Sequence, residues 1–142
     1  MSDHGFWLGV GDVVTIRGRD LWLERGSLLF DGSQPLAAIF EAREAWLWLG
    51  RGADEPLRVL TSIEAGGLAG LPLAYELEQS ELQRRFKRPV RIEAVRGGSL
   101  PQGEALLAEY RAFERVLYTL DAGDWVRAWR AEAVPALDVE RY

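Results

Sequence analysis

Short apolar runs that end at glycines or at charged pairs restrict the fold of this 142-residue chain more than any other feature of its sequence. The stretch "GDVVTIRGRDLWLERGSLLFDGS", from Gly11 to Ser33, contains three such runs. Val13, Val14 and Ile16 favour extended backbone because they are branched at Cβ. Each run is too short for an ordinary helix and has the length of a strand. The stretch therefore predicts a meander of antiparallel strands.

Two later segments resemble each other. Residues 38–50 read "AIFEAREAWLWLG" and residues 108–120 read "AEYRAFERVLYTL". At an offset of 70 residues (108 minus 38), several alanine, aromatic and leucine positions coincide, and Trp48 matches Tyr118. Aromatic residues at every second position, as in "AWLWLG", are typical of a strand. The similarity therefore predicts an internal duplication of a strand hairpin.

The second of these segments is ambiguous. Its apolar residues are spaced four, three, four and three positions apart, at Leu106, Tyr110, Phe113, Leu117 and Leu120. That spacing slightly favours an amphipathic helix over 104–120. The similarity to the first segment favours a hairpin instead. We prefer the hairpin and leave the helix open.

The sequence thus predicts a single β-rich domain over residues 1–142, with at most one short helix. About ten antiparallel strands would form two pseudo-repeated halves, at about 9–63 and 73–142. A glycine- and proline-rich linker at 64–72 would join the halves. They would pack as a sandwich or as two small, partly open barrels, each covering the apolar face that the other exposes.

The composition excludes several classes of function. The chain has no cysteine, so it contains no disulfide, zinc ribbon or thiol nucleophile. Its net charge of −5 disfavours binding to nucleic acid. It has no run of about 18 apolar residues and no signal-peptide pattern, so we expect a cytoplasmic protein without a transmembrane segment.

No motif for catalysis, a metal or a cofactor stands out. The single histidine, His4, lies close to the start of the chain, where a catalytic triad is not expected. "GVGDVV" lacks the third glycine of a dinucleotide-binding fingerprint and precedes a strand. Pairs of carboxylates could be formed by Glu41 with Glu44 or by Glu76 with Glu78, but solvated strand faces explain them better. We therefore expect no catalytic residue, no metal and no cofactor.

Tryptophan is abundant, with six residues, and four of them could bind a ligand: Trp46, Trp48, Trp125 and Trp129. Trp46 and Trp48 would share one face of a strand, and so would Trp125 and Trp129. Core packing between the predicted halves is one interpretation. The other is a half-open aromatic cavity for an apolar or cationic ligand, such as a polyamine.

A basic cluster lies in the second half of the chain and consists of Arg84, Arg85, Lys87, Arg88 and Arg91. Charged side chains on a strand edge prevent unwanted pairing with other strands, which is one interpretation. The other is a docking patch for an acidic protein partner, with peripheral contact to an anionic lipid surface left open.

The order of these motifs resembles one known family. "GDVVTIRGRDLWLERGSLLF", "AWLWLG", "EYRAF", "LYTLDAGDWVRAW" and "LDVERY" together are similar to the bacterial domain-of-unknown-function 4178 family. The resemblance covers nearly the whole chain and is carried by structural glycines and tryptophans. It implies a β-rich domain with no assigned catalytic residues, and a link to an envelope-stress pathway.

The function that the sequence favours is a non-catalytic interaction or adaptor domain of the bacterial cytoplasm, with another protein as its partner. The alternative is a small-ligand binding domain built around the tryptophans. The fold does not decide between the two. The oligomeric state is left open.

Overall fold

The computed structural model describes residues 5–52 and 54–141, which contain twelve strands and two single-turn 3-10 helices but no α-helix. The strands are β1 (Val13–Ile16), β2 (Arg19–Trp22), β3 (Arg25–Asp31), β4 (Gln34–Glu41), β5 (Trp46–Gly50), β6 (Arg58–Ile63), β7 (Ala74–Leu77), β8 (Ser80–Val95), β9 (Gly103–Ala112), β10 (Arg115–Asp121), β11 (Val126–Ala133) and β12 (Val139–Arg141). The 3-10 helices are Gly66–Leu68 and Ala136–Asp138. The all-β class is therefore confirmed. Within the described ranges, no helix is long and apolar enough to cross a membrane.

Eight strands close into one antiparallel barrel. Their order around the ring is β3-β4-β5-β6-β11-β10-β9-β8, and β8 pairs back onto β3 to complete it. β7 pairs with the first residues of β8 and lies outside the ring. A separate three-stranded sheet, in the order β12-β1-β2, packs against one side of the barrel.

The predicted arrangement in two pseudo-repeated halves is wrong, as is a sandwich or a pair of partly open barrels. β6 pairs with β11 and β3 pairs with β8, so strands from both predicted halves form a single ring. The physical reason lies in the strand edges. A four-stranded meander has two edge strands with unpaired N–H and C=O groups. When two meanders pair along both edges, all four edge strands gain hydrogen-bond partners.

The segment 104–120 is a hairpin of β9 and β10, as the similarity between the two segments predicted. Both faces of this hairpin are buried. Leu107 and Tyr118 point into the barrel, while Ala108, Tyr110 and Leu117 are covered from outside. The five residues of the helix-like spacing do not share one face. Tyr110 and Leu117 are covered from outside and Leu120 points into the barrel. Leu106 and Phe113 are exposed.

Three apolar clusters hold the layers together. One fills the barrel, a second lies between the barrel and the three-stranded sheet, and a third lies beneath residues 64–77. The segment 64–72 contributes Leu68 and Leu71 to the third cluster, where they meet Tyr110 and Leu117. The Tyr110 hydroxyl also donates to the carbonyl of Pro72, at 2.6 Å. This segment therefore covers part of the barrel wall.

The loop from β8 to β9 is fastened to the barrel by a buried carboxylate. Glu41, at the end of β4, is 2% exposed. It accepts hydrogen bonds from the backbone N–H of Ser99, at 2.7 Å, and from Nε of Arg25, at 3.1 Å. The loop approaches β3 so closely that a Cβ atom on Gly98 would lie 2.0 Å from the carbonyl oxygen of Gly26. Only glycine fits there without movement of the backbone.

One stretch of the barrel wall stays open. β8 pairs with β7 over residues 80–83 and with β3 over residues 91–95. In the part of the chain that the structure describes, no strand pairs with the edge of β8 between these two contacts. We call residues 85–90 the gap segment. Arg88, within it, forms an ion pair across the opening with Asp31 at the end of β3.

Candidate functional site

A pocket of about 340 Å³ lies beside the gap segment, and we call it the mouth pocket. Six apolar or aromatic residues from five strands of the ring form about half of its lining: Leu36, Ala37, Trp48, Phe86, Leu107 and Tyr118. Its charged residues are Arg51, Glu55 and Arg88, and Pro35, Gly50 and Gly52 complete its lining. An eight-stranded barrel is wide enough to be filled by side chains or to hold one small ligand. Here the side chains fill most of the interior, and the mouth pocket is one of the spaces that they leave.

Two aromatic rings inside the barrel form a stack that lines the mouth pocket. Trp48 points inward from β5 and Tyr118 points inward from β10, and their ring centroids lie 3.9 Å apart with an angle of 10° between the planes. Both side chains are buried. The two strands are separated in the ring by β6 and β11, so the contact crosses the interior. A ligand would therefore meet a rigid aromatic surface.

Charged groups lie close to this aromatic stack. Burial raises the pKa of the Tyr118 hydroxyl above its usual value, and the neighbouring carboxylate of Glu109 raises this pKa further. Arg58, which pairs with Trp48 across the two strands, acts in the opposite direction on the Tyr118 pKa. The Arg58 side chain is itself buried, and its Nε–H finds no acceptor among the described residues. An unpaired buried donor is costly.

The raised pKa of Tyr118 predicts a specific loss of stability at alkaline pH. Neutral Tyr118 contributes its full stability below the unfolded pKa of about 10. Above that pH the contribution falls by about 1.4 kcal/mol per pH unit, until the folded pKa is reached. The measurement is the free energy of unfolding in urea, from about pH 8 to pH 11, for the wild type and Tyr118→Phe.

The Tyr118→Phe variant should lose less stability than the wild type over the alkaline range. It keeps some alkaline sensitivity because burial also raises the pKa of Tyr110. Tyr75→Phe is the matched control, since Tyr75 lies on β7 outside the ring. If the free energy of unfolding falls equally steeply with pH in the wild type and in Tyr118→Phe, the pKa of the Tyr118 hydroxyl is not raised by its burial.

The four tryptophans singled out in the sequence do not share one cavity. Trp48 lines the mouth pocket, whereas Trp46 and Trp129 line a second pocket, with their ring centroids 5.9 Å apart. Trp125 is partly buried and packs against the cluster inside the barrel. The guanidinium of Arg127 lies 5.3 Å from the ring centroids of both Trp46 and Trp129. The guanidinium of Arg127 therefore already occupies the place beside these two rings that a cationic ligand would take.

Most of the basic cluster takes part in contacts within the fold. Arg84 donates to the carbonyl of Leu71 at 2.7 Å, and Arg88 pairs with Asp31. Arg91 donates to the carbonyl of Gly32 and lies over the ring of Phe30. Two further members, Arg85 and Lys87, are exposed and form no ion pair with the residues that the structure describes. The cluster thus leaves two cations available to a partner.

The carboxylates named in the sequence have separate positions. Glu41 is buried in its contacts with Ser99 and Arg25, whereas Glu44 is exposed in the turn before β5. Arg130 and Arg115 lower the pKa of the exposed Glu78. His4 lies outside the described residues. Within the described ranges, no three carboxylate or histidine side chains lie together as ligands for a metal ion.

Most residues that line the mouth pocket could not be identified as such from the sequence. Phe86 and Leu107 lie on the neighbouring strands β8 and β9. The long-range pairing of β8 with β3, which closes the ring, brings them to the same pocket as residues of β4 and β5. One sequence feature pointed to Tyr118 as a pocket residue, namely its match with Trp48 when the two similar segments are aligned. A matched pair of large aromatic residues on predicted strands is a reasonable candidate for contact.

Comparison of the chain with family models, with curated proteins and with solved structures finds no match. The resemblance to the domain-of-unknown-function 4178 family therefore stays a prediction from the residues quoted above.

Proposed function

We propose that this domain binds a small, flat, largely apolar molecule in the mouth pocket. The observation that carries the proposal is the stack of Trp48 on Tyr118 at the wall of an open pocket. Pockets that hold small molecules have volumes of about 300–1,000 Å³ and mostly apolar walls with a few polar groups. The mouth pocket, at about 340 Å³, lies at the small end of that range.

The gap segment supports access to this pocket. Phe86 and Arg88 belong to the gap segment and line the pocket. Pro89 has no N–H to offer to an incoming strand, and the charges of Arg85 and Lys87 disfavour strand pairing. A strand that paired here would lie next to the entrance. The composition of the gap segment therefore favours an opening that stays free.

The charges around the pocket indicate what else the ligand carries. Arg51 and Arg88 lie at the rim with one carboxylate, Glu55, and the buried Arg58 lies beside Trp48. Guanidinium groups donate hydrogen bonds and cannot accept them. We infer a ligand with a flat apolar body and at least one acceptor group.

The neutral fluorescent probe 1-aminoanthracene tests the apolar part of this proposal. We expect it to bind with a stoichiometry of one and a dissociation constant in the micromolar range. Phe86→Ala should weaken binding roughly tenfold, because it removes one aromatic wall at the entrance. The measurement is a fluorescence titration, together with the indole N–H signal of Trp48 in proton–nitrogen NMR spectra.

Phe113→Ala is the matched control for this titration. Phe113 is fully exposed at the turn between β9 and β10 and does not line the pocket. The proposal fails if both variants weaken binding equally, or if the Trp48 signal stays in place while the probe binds. Native mass spectrometry of gently purified protein would then add the mass of any ligand from the host.

The interaction domain favoured by the sequence stays a prediction. Its support is the pair of exposed cations Arg85 and Lys87, to which an acidic protein segment could bind. The other three cations of the basic cluster are engaged within the fold. We rank ligand binding first, because a pocket with buried aromatic walls is the more specific feature.

A further inference from the structure

A second pocket, of about 520 Å³, lies at the opposite end of the barrel from the mouth pocket. Three arginines from distant parts of the chain line it: Arg19 from β2, Arg43 from the turn between β4 and β5, and Arg127 from β11. We propose that this arginine pocket binds the oxyanion, a phosphate or a carboxylate, of a small organic molecule. The proposal is independent of ligand binding in the mouth pocket.

The three arginines give this pocket a positive charge. Arg19, Arg43 and Arg127 form no ion pair with any residue in the described ranges. One carboxylate, Glu44, lines the same pocket, so three positive charges and one negative charge leave a net charge of +2. The chain as a whole carries −5. A local excess of arginine in an acidic protein favours an anion as the missing partner.

Arg127 is held in a fixed position by aromatic rings. Its guanidinium lies 5.3 Å from the ring centroids of both Trp46 and Trp129. Contact with an aromatic face limits the movement of a guanidinium but does not use its N–H donors. A donor fork that is already ordered loses less entropy when it binds an oxyanion. Arg127 therefore provides the ordered part of the arginine pocket.

The strand register explains why the pocket is open. β5 pairs with β6 over three residue pairs, from Trp46 with Leu60 to Trp48 with Arg58. β6 continues to Ile63, beyond the start of β5. Thr61 and Ser62 lie in this extension, where β6 pairs with β11 but not with β5, and both residues line the pocket. They add neutral donors beside the arginines.

The size and chemistry of the pocket indicate the class of ligand. Arginine forks match both phosphate and carboxylate through paired N–H···O hydrogen bonds. The pocket is several times larger than an isolated oxyanion, and Ala45, Trp46 and Leu60 provide apolar lining. We therefore infer a ligand with an anionic head and a small organic body. Free inorganic phosphate is the other source of the same head group.

Proton–nitrogen NMR with phenyl phosphate, benzoate and inorganic phosphate tests this site at low ionic strength. The indole N–H signals, assigned by single Trp→Phe variants, report on each pocket separately. We expect phenyl phosphate or benzoate to shift the signals of Trp46 and Trp129 and to leave that of Trp48 in place. Arg43→Gln should weaken this binding roughly tenfold, because a charged hydrogen bond is lost.

Arg85→Gln is the matched control, because it removes the same charge from the exposed gap segment. Equal binding of inorganic phosphate and phenyl phosphate would assign the site to the free ion, and tighter binding of phenyl phosphate would assign it to an organic ligand. Two results overturn the proposal: no shift of the Trp46 and Trp129 signals up to millimolar ligand, or equal weakening by Arg43→Gln and Arg85→Gln. Neither result changes the test of the mouth pocket, which is read from Trp48.

Discussion

Replacing Trp129 with alanine is expected to lower the free energy of unfolding by about 3–5 kcal/mol. Trp129 is 1% exposed and packs inside the barrel beside Trp46. Removing the indole leaves a cavity that a closed ring of hydrogen-bonded strands cannot collapse to fill. The measurement is urea denaturation followed by circular dichroism, with the midpoint and the slope fitted separately.

Trp22→Ala is the matched control for this substitution. Trp22 lies on β2 and is 56% exposed, so its removal creates no buried cavity. We expect it to cost less than about 1 kcal/mol. Similar losses for the two variants would contradict the position of Trp129 inside the ring. In Trp129→Ala, the guanidinium of Arg127 also loses one of its two aromatic contacts.

Replacing Glu41 with alanine is expected to cost about 2–4 kcal/mol of stability. The carboxylate accepts hydrogen bonds from the N–H and hydroxyl of Ser99 and from Nε of Arg25. Alanine would leave these donors without their acceptor in a partly buried place, and the desolvation of each is then uncompensated. Urea denaturation measures the total effect, and hydrogen exchange of the Ser99 amide measures the local effect.

Two further variants separate the acceptor role from the charge. Glu41→Gln keeps one carbonyl oxygen as an acceptor and should recover part of the loss. Glu44→Ala changes an exposed residue in the turn that follows β4 and should have little effect. An unchanged exchange rate at Ser99 in Glu41→Ala would contradict the attachment of the β8–β9 loop to β4.

The strand pattern could be predicted from the sequence because it depends on local features. Val13, Val14 and Ile16 lie in β1, and the aromatic alternation of "AWLWLG" lies in β5. Ring closure could not be predicted in this way, since Gly26 pairs with Val95, 69 positions away (95 minus 26). Neither residue carries a local signal for its partner. The sequence therefore predicted two separate halves, whereas the strands form one ring.

Burial of polar groups was equally hard to predict. Glu41 has the alternation of a solvated strand face, but Ser99, 58 residues further on, covers it. Three cations of the basic cluster bind Leu71, Asp31 and Gly32, none of which is close in sequence. Four of the six tryptophans, at positions 46, 48, 125 and 129, do pack against the cluster inside the barrel, whereas Trp7 and Trp22 are exposed. Which rings face which pocket depends on the register.

The pairing between β3 and β8 closes the ring and also affects the folding rate. It joins residues that are 61 to 69 positions apart in the chain (91 minus 30 and 95 minus 26). Contacts between such distant residues carry a large loop-closure entropy and make folding slow. The same two strands separate at the gap segment beside the mouth pocket. The pairing that closes the ring and the proposed entrance for a ligand are therefore neighbouring parts of one strand, β8. We expect a substitution that weakens this pairing to change the folding rate and the rate of ligand entry together.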